Sequence, residues 1–276
     1  MNQKFLNFCR TIYHKYEFLQ PFLSFIDRKF IFKTRFSGGG MKTEHALPWD
    51  DEFNSKEFLQ SINDLRNFRF TKNIANIGEK TADDGAWRHW IVSFATQYAI
   101  EFSKQQTNYN FVECGTADGI TSFFTLREIS NNSKIREKFS MHLYDVWGIM
   151  KKESLTEKET RQHGYENLDI NITKNNLKEF KNDVIFHSGY IPNSFEVEPL
   201  SPKSIIYLHI DLNSSKPTLD ALEYFYPKLE SHGIILFDDY GWAGYEETKD
   251  VVDVFFSKKS GILLKLPTGQ AIFFKN

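Results

Sequence analysis

Two kinds of apolar pattern follow one another along the chain. Residues 55–69 and 84–103 repeat apolar positions at helical spacing. Beyond them, apolar runs of strand length alternate with helical segments that begin near Ile120, Thr218 and Glu246. The second of these segments is predicted to reach Glu230, and the third is predicted to reach Phe256. The predicted strands cover residues 110–114, 140–146, 184–187, 204–211, 233–238, 261–266 and 271–275. This alternation predicts an α/β fold built on a mostly parallel sheet.

The last two predicted strands have a different connection. Pro267 and Gly269 lie in the short link between residues 261–266 and residues 271–275, and both residue types favour a tight turn. We therefore expect the final pair to form an antiparallel hairpin. With it, the sheet has seven strands.

The first part of the chain differs from the rest in composition. Residues 1–36 are basic and aromatic, and Gly38–Gly40 follows them as a linker that is costly to order. We predict an N-terminal helical arm with its linker over residues 1–54 and a single domain over residues 55–276. The arm is expected to make a homo-oligomer by packing on a second subunit, with a cover over the substrate site or contact with an anionic membrane as alternatives.

Bulk composition narrows the class of protein. A chain of 276 residues with 41% hydrophobic content can bury one substantial core. A formal net charge of -2 gives no general attraction to nucleic acid. Two cysteines give no disulfide framework, and charged residues interrupt every apolar run near the N-terminus. We expect a cytoplasmic protein with no membrane span and no nucleic-acid partner.

A glycine-rich turn, Glu113–Gly119, lies directly between the first predicted strand and the next helix. In such a turn glycines let the backbone pass close to a ligand, and the helix N-terminus offers unpaired N–H donors. Only Gly115 and Gly119 are present, so the G-x-G-x-x-G pattern of dinucleotide-binding folds is missing. This spacing disfavours a nicotinamide-dependent oxidoreductase.

The spacing of an acidic residue followed by GxxxG resembles the first motif of class I methyltransferases. The resemblance implies a Rossmann-like fold and S-adenosylmethionine as cofactor. It places Glu113 near the methionyl end of the cofactor and runs Gly115, Thr116 and Gly119 beneath its methionine part. An acidic residue at the end of the second strand holds the ribose hydroxyls in that class, and Asp145 occupies this position. The alternative for Asp145 is a strand-end residue that caps a loop.

Ser188, Gly189 and Tyr190 follow the third predicted strand. In the same class this position lies beside the adenine ring, where a small residue permits approach and an aromatic can cover the ring face. A plain turn with a core tyrosine is the alternative.

Three carboxylates come at the ends of two neighbouring predicted strands. Asp211 ends the fourth strand, and Asp238 and Asp239 end the fifth. The carboxyl ends of parallel strands meet at one edge of a sheet, which is where open α/β sheets bind ligands. Crowded carboxylates need a compensating charge, and oxygen ligands suit a hard ion such as Mg²⁺. The alternative for Asp238 and Asp239 is helix capping.

Residues 111–256 resemble the macrocin O-methyltransferase family, which methylates antibiotic sugars. The resemblance rests on Ile210-Asp211, on the string Asp238-Asp239-Tyr-Gly, and on the segments Asp220-Ala-Leu-Glu and Tyr226-Pro-Lys-Leu between them. It implies that Asp211, Asp238 and Asp239 bind Mg²⁺ and that Asp211 also deprotonates a sugar or polyol hydroxyl. The chain departs from the family at Asn213 and Ser215, where an aspartate and a tyrosine are common, and this lowers the negative charge available to a cation.

Other functional hypotheses remain open at this point. His209 lies on the same strand face as Asp211 and is a second candidate base. A metal-independent methyltransferase acting on another acceptor is one alternative, and a non-catalytic cofactor-binding oligomerisation protein is another. Residues 87–90, Trp-Arg-His-Trp, read as part of a packed helix, and we assign them no role.

Overall fold

A seven-stranded sheet forms the centre of the fold in the computed structural model. The structure describes residues 52–71, 85–103, 109–135, 138–151, 165, 168–242 and 244–276. The predicted arm lies outside the described residues up to residue 51. Its helical structure, the boundary after residue 54 and the oligomer contact therefore stay predictions.

The strands lie in the order β3-β2-β1-β4-β5-β7-β6. Their bounds are β1 Tyr109–Cys114, β2 Phe139–Asp145, β3 Val184–Ser188, β4 Ile205–Ile210, β5 Leu229–Phe237, β6 Gly261–Lys265 and β7 Ala271–Lys275. Strands β1 to β5 are parallel, and β7 pairs antiparallel with both β5 and β6. The predicted mostly parallel sheet with its closing hairpin is confirmed.

Six α-helices are present among the described residues. They are α1 Glu52–Asp64, α2 Ala86–Phe102, α3 Ile120–Asn131, α4 Ile170–Asn176, α5 Ser215–Phe225 and α6 Glu246–Phe256. Single 3₁₀ turns cover Leu65–Asn67, Lys178–Phe180, Asn193–Phe195 and Tyr226–Lys228. None of the described helices is long and apolar enough to cross a membrane.

The α5–β5 junction is the largest difference from the predicted bounds. The helix predicted to reach Glu230 ends at Phe225, and β5 begins at Leu229. Pro227 lies in the 3₁₀ turn between them, where its ring and missing N–H prevent the helix from continuing. Strand β5 also contains an irregular register with β4 and a left-handed His232 at φ 65°. The first residues of β5 therefore do not show the apolar run by which the other strands were predicted.

Apolar residues cover both faces of the sheet. On β1, Phe111 packs into the layer formed with α1, α2 and α3, while Val112 packs into the layer formed with α5 and α6. Burial on both faces explains why the parallel strands read as continuous apolar runs. These layers cover the faces of the sheet, and ligands bind such sheets at the carboxyl edge. The order of the strands reverses between β1 and β4, which marks the position along that edge.

Candidate active site

The glycine-rich turn adopts a backbone that requires glycine. Gly115 has φ +87°, and a Cβ atom added there would lie 1.8 Å from the carbonyl oxygen of Asp211. Gly119, at φ +88°, precedes α3 and donates its N–H to the Thr116 carbonyl at 2.9 Å. The turn therefore passes against the end of β4 as closely as two backbones can.

Backbone hydrogen bonds fix the turn over its neighbouring strands. The Asp211 N–H donates to the Cys114 carbonyl at 2.9 Å, and the Gly115 N–H donates to the Tyr144 carbonyl at 2.8 Å. The start of the turn is thus tied to the ends of both β4 and β2. This arrangement brings Asp211 next to the predicted cofactor turn.

The carboxylate of Asp145 binds the same turn. One of its oxygens accepts the N–H groups of Thr116 at 2.9 Å and Ala117 at 2.8 Å, and the other accepts the N–H of Trp147 at 2.9 Å. Burial raises the pKa of this carboxyl, and these hydrogen bonds act in the opposite direction. Asp145 therefore holds the loop, and its ribose contact stays a prediction.

Thr116 presents a buried polar atom without a partner among the described residues. The residue is 3% exposed, and its hydroxyl makes no hydrogen bond with the described part of the protein. Buried hydroxyls are almost always hydrogen-bonded. An unpaired one in the glycine-rich turn fits a ligand that supplies the missing contact.

Glu113 lies beneath the turn, with its side chain fully buried. The hydroxyls of Thr121 and Ser122, at the start of α3, both donate to its carboxylate. His209 Nδ1 lies 3.3 Å from the Glu113 carboxylate and is itself only 1% exposed. Glu113 joins β1 to α3, and its contact with a cofactor stays a prediction. His209 lies too deep to act as a base on an outside acceptor.

A second set of contacts holds the turn from outside. Asp118 accepts the backbone N–H of Thr71 at 2.7 Å and also its hydroxyl. The Asn176 amide donates at 2.9 Å to the carbonyls of both Arg69 and Asp118. Sequence analysis missed these residues, because the pairs lie 47 to 107 positions apart.

The segment that follows β3 lies beside the end of β2. The Gly189 N–H donates to the Asp145 carbonyl at 2.9 Å, and Ser188 pairs in register with Asp145. The Tyr190 ring is 39% exposed, with the Lys151 ammonium 4.6 Å from its centre. Tyr190 is therefore not a core residue, and its predicted adenine contact remains to be tested.

Asp211, Asp238 and Asp239 come together at the carboxyl edge, and we call them the acid cluster. One carboxylate oxygen from each lies within 4.8 Å of the others. Gln270 Nε2 donates to Asp238 Oδ1 at 2.8 Å. Three converging carboxylates form an oxygen donor set that fits a divalent cation.

Arg88, from the first turn of α2, approaches the acid cluster. Its guanidinium forms an ion pair with Asp238 Oδ2 and lies 3.8 Å from Asp211 Oδ2. Sequence analysis gave this arginine no role. The sequence did contain a signal for it. A cation in the first turn of a helix is destabilised by the helix dipole, so Arg88 at this position indicates a nearby anion.

Asn213 occupies the position where the sequence departs from the macrocin pattern. It adopts a left-handed backbone with φ 56°, which asparagine tolerates better than most residues. Its amide nitrogen lies 3.2 Å from the Tyr245 hydroxyl and 3.4 Å from the Tyr165 hydroxyl. Asn213 therefore contacts two tyrosines beside the cluster.

Trp242 lies three residues beyond Asp239 and is 40% exposed. Its indole is 5.9 Å from that of Trp87, and Gly269 lies against it so closely that an added Cβ would come within 2.8 Å of the ring. This exposed aromatic face lies on the loop that follows the acid cluster.

Comparisons with known proteins agree with this geometry. Residues 112–240 match a family model described as a methyltransferase domain. The solved O-methyltransferase NovP has a TM-score of 0.61 at 18% identity, over 80% of this chain and 99% of NovP. CalS11, a TDP-rhamnose 3'-O-methyltransferase, has a TM-score of 0.50 at 12% identity, over 83% of this chain and 96% of CalS11. At these identities the likeness shows the fold. No curated protein matches the chain in sequence.

Proposed function

We propose that the chain is an S-adenosylmethionine-dependent methyltransferase and that it methylates a hydroxyl oxygen of a sugar or similar small molecule. One observation carries the proposal: the predicted cofactor turn and Asp211 are in direct backbone contact at the β1–β4 junction. Methyl transfer requires an acceptor oxygen held in line with the methyl group. Asp211, as a base that adjoins the cofactor turn, can bind the acceptor hydroxyl close to the methyl group.

Asp211 is the member of the acid cluster best placed to meet an acceptor. Its side chain is 24% exposed, whereas that of Asp238 is 1% exposed. We propose that the Asp211 carboxylate accepts the proton of the hydroxyl as the oxygen–carbon bond forms and the carbon–sulfur bond breaks. S-adenosylmethionine, when bound, supplies the methyl group and the leaving group.

The donor set of the acid cluster supports metal assistance. Asp211, Asp238 and Asp239 would hold Mg²⁺ or a similar ion, which when bound would lower the pKa of an acceptor hydroxyl. Gln270 fixes the buried Asp238 carboxylate, so one ligand position is set before any ion arrives.

Residues around the glycine-rich turn are proposed to hold the cofactor. Thr116 offers a hydroxyl that has no partner among the described residues, and Asp145 fixes the loop through its hydrogen bonds to the backbone. The proposed set is Glu113, Gly115, Thr116, Gly119, Asp145, Ser188, Gly189 and Tyr190.

Two observations support a sugar or polyol as the acceptor. CalS11 is a TDP-rhamnose 3'-O-methyltransferase with the same fold, and the acid motif resembles that of the macrocin O-methyltransferases. In addition, the exposed Trp242 indole offers a flat apolar surface on the loop that follows the acid cluster, which suits a ring with both apolar and hydroxyl faces.

Turnover tests the proposal. The full chain is incubated with S-adenosylmethionine and a panel of nucleotide-linked sugars and free polyols, and methylated products are detected by mass spectrometry. Asp211→Asn should lower kcat at least about 100-fold while S-adenosylhomocysteine still binds. Asp220→Asn is the matched control, because Asp220 pairs with Lys216 on α5, outside the acid cluster.

Three further outcomes separate the alternatives. Full turnover in a chelator would remove the metal from the proposal and leave Asp211 as the base. Binding of S-adenosylhomocysteine without turnover on any acceptor would favour a non-catalytic cofactor-binding protein. Calorimetry that detected NAD binding and no S-adenosylhomocysteine binding would refute the cofactor assignment.

A further inference from the structure

Arg88 lies where a cation is costly to place. It is the third residue of α2, a helix that has no acidic residue in its first turn and no side-chain cap. The N-terminal end of a helix carries partial positive charge, so an arginine there is destabilised. A compensating contact is needed to keep the side chain in this position.

The acid cluster supplies that contact. The Arg88 guanidinium forms an ion pair with Asp238 and lies 3.8 Å from Asp211. Asp238 is almost fully buried, and a buried carboxylate is strongly destabilised without a positive partner. Arg88 and the cluster thus stabilise each other.

The position of the guanidinium overlaps with the place of a metal ion. The carboxylate oxygens that converge within 4.8 Å include those of the two aspartates that Arg88 contacts. A guanidinium and a divalent cation repel one another strongly at such separations. The side chain of Arg88 is 36% exposed, so it has room to turn towards solvent when a metal ion neutralises the cluster.

We propose that Arg88 is the internal counter-cation of the acid cluster and competes with the divalent metal for it. This inference rests on the proposed metal-assisted function. In the metal-free protein Arg88 neutralises part of the cluster and keeps Asp238 paired. Metal binding displaces the guanidinium, so Arg88 lowers metal affinity and makes the metal-free protein more stable.

Mn²⁺ binding to the full chain tests the proposal without reference to turnover. Free Mn²⁺ is measured by electron paramagnetic resonance in a titration of chelator-treated protein. Arg88→Gln should bind Mn²⁺ at least about tenfold more tightly than the unmodified chain, because the competing charge is gone. Arg88→Lys keeps the charge and should stay within about threefold of the unmodified chain.

Arg127→Gln is the matched control. Arg127 is 31% exposed and pairs with Asp64 at 2.9 Å and Glu179 at 3.1 Å, carboxylates that do not belong to the cluster. Its removal should leave Mn²⁺ affinity unchanged. An equal gain in affinity for this variant would overturn the inference, since a general change in net charge would then explain the result.

Thermal unfolding supplies a second readout. In a chelator Arg88→Gln should melt at a lower temperature than the unmodified chain. Saturating Mn²⁺ should raise the Tm of Arg88→Gln by more than it raises the Tm of the unmodified chain. Equal or weaker Mn²⁺ binding by Arg88→Gln, an equal rise in Tm, or no binding by either protein would overturn the inference. S-adenosylhomocysteine binding by the same samples reports on the proposed function separately.

Discussion

Gly115→Ala tests whether the glycine-rich turn and Asp211 are held by one close contact. The new Cβ would lie 1.8 Å from the Asp211 carbonyl oxygen, so the two backbones must separate by more than about 1 Å. A left-handed backbone costs a non-glycine residue about 1–2 kcal/mol. Breaking the buried Asp211–Cys114 backbone hydrogen bond costs about 1–3 kcal/mol more. The free energy of unfolding should therefore fall by roughly 2–5 kcal/mol.

Two other glycines separate these contributions in urea denaturation. Gly244 has φ +99°, and no atom of the described residues lies within 4 Å of an added Cβ, so Gly244→Ala reports mainly backbone strain. Gly148 has no positive φ, and no atom of the described residues lies closer than 3.6 Å to an added Cβ, so Gly148→Ala should change stability by less than about 1 kcal/mol. Because the turn would move, Gly115→Ala should also weaken S-adenosylhomocysteine binding at least about tenfold. A loss of stability no larger than that of Gly244→Ala would refute the close contact.

Three further changes have defined outcomes. Asp145→Asn should lower the free energy of unfolding by about 1–3 kcal/mol in urea denaturation, because the NH₂ group of the asparagine cannot accept the backbone N–H that it would face. An unchanged denaturation midpoint would contradict this. Burial lowers the pKa of His142 and of His187 to about 4, below the 6.5 of an unfolded histidine, so their stabilisation is complete above pH 6.5 and is lost as pH falls towards 4. The free energy of unfolding should therefore be lower at pH 5 than at pH 7, and His142→Gln should make the dependence shallower. Trp242→Ala should raise the KM for the acceptor and leave that for S-adenosylmethionine unchanged in steady-state kinetics, whereas an unchanged acceptor KM would exclude stacking.

Local sequence patterns predicted most of the fold. Helix α6 and strand β7 have the predicted bounds, because a short amphipathic helix and a strand after a Pro-Gly turn are specified by neighbouring residues. The α5–β5 junction was mispredicted although Pro227 marked it. There the helical pattern of apolar residues continued past the residue that ends the helix.

The candidate site was predictable where strand ends carry the chemistry. Asp211 and the pair after β5 converge as parallel pairing requires. Contacts between distant segments were not predictable, as with Arg88 on Asp238 and Thr71 on Asp118. Helical and strand periods specify which face of an element is buried, and they carry no information about which distant polar group a side chain will meet.

The hydrogen bond from Gln270 to Asp238 has a consequence for biosynthesis. Gln270 is translated 32 residues after Asp238, and it precedes the strand that pairs antiparallel with β5. The Asp238 carboxylate therefore lacks its amide partner until almost the whole chain has been made. Domains generally fold as units during synthesis, and this one acquires its finished acid cluster with the closing hairpin. A fusion that hinders pairing of β7 would therefore disturb the acid cluster as well as the edge of the sheet.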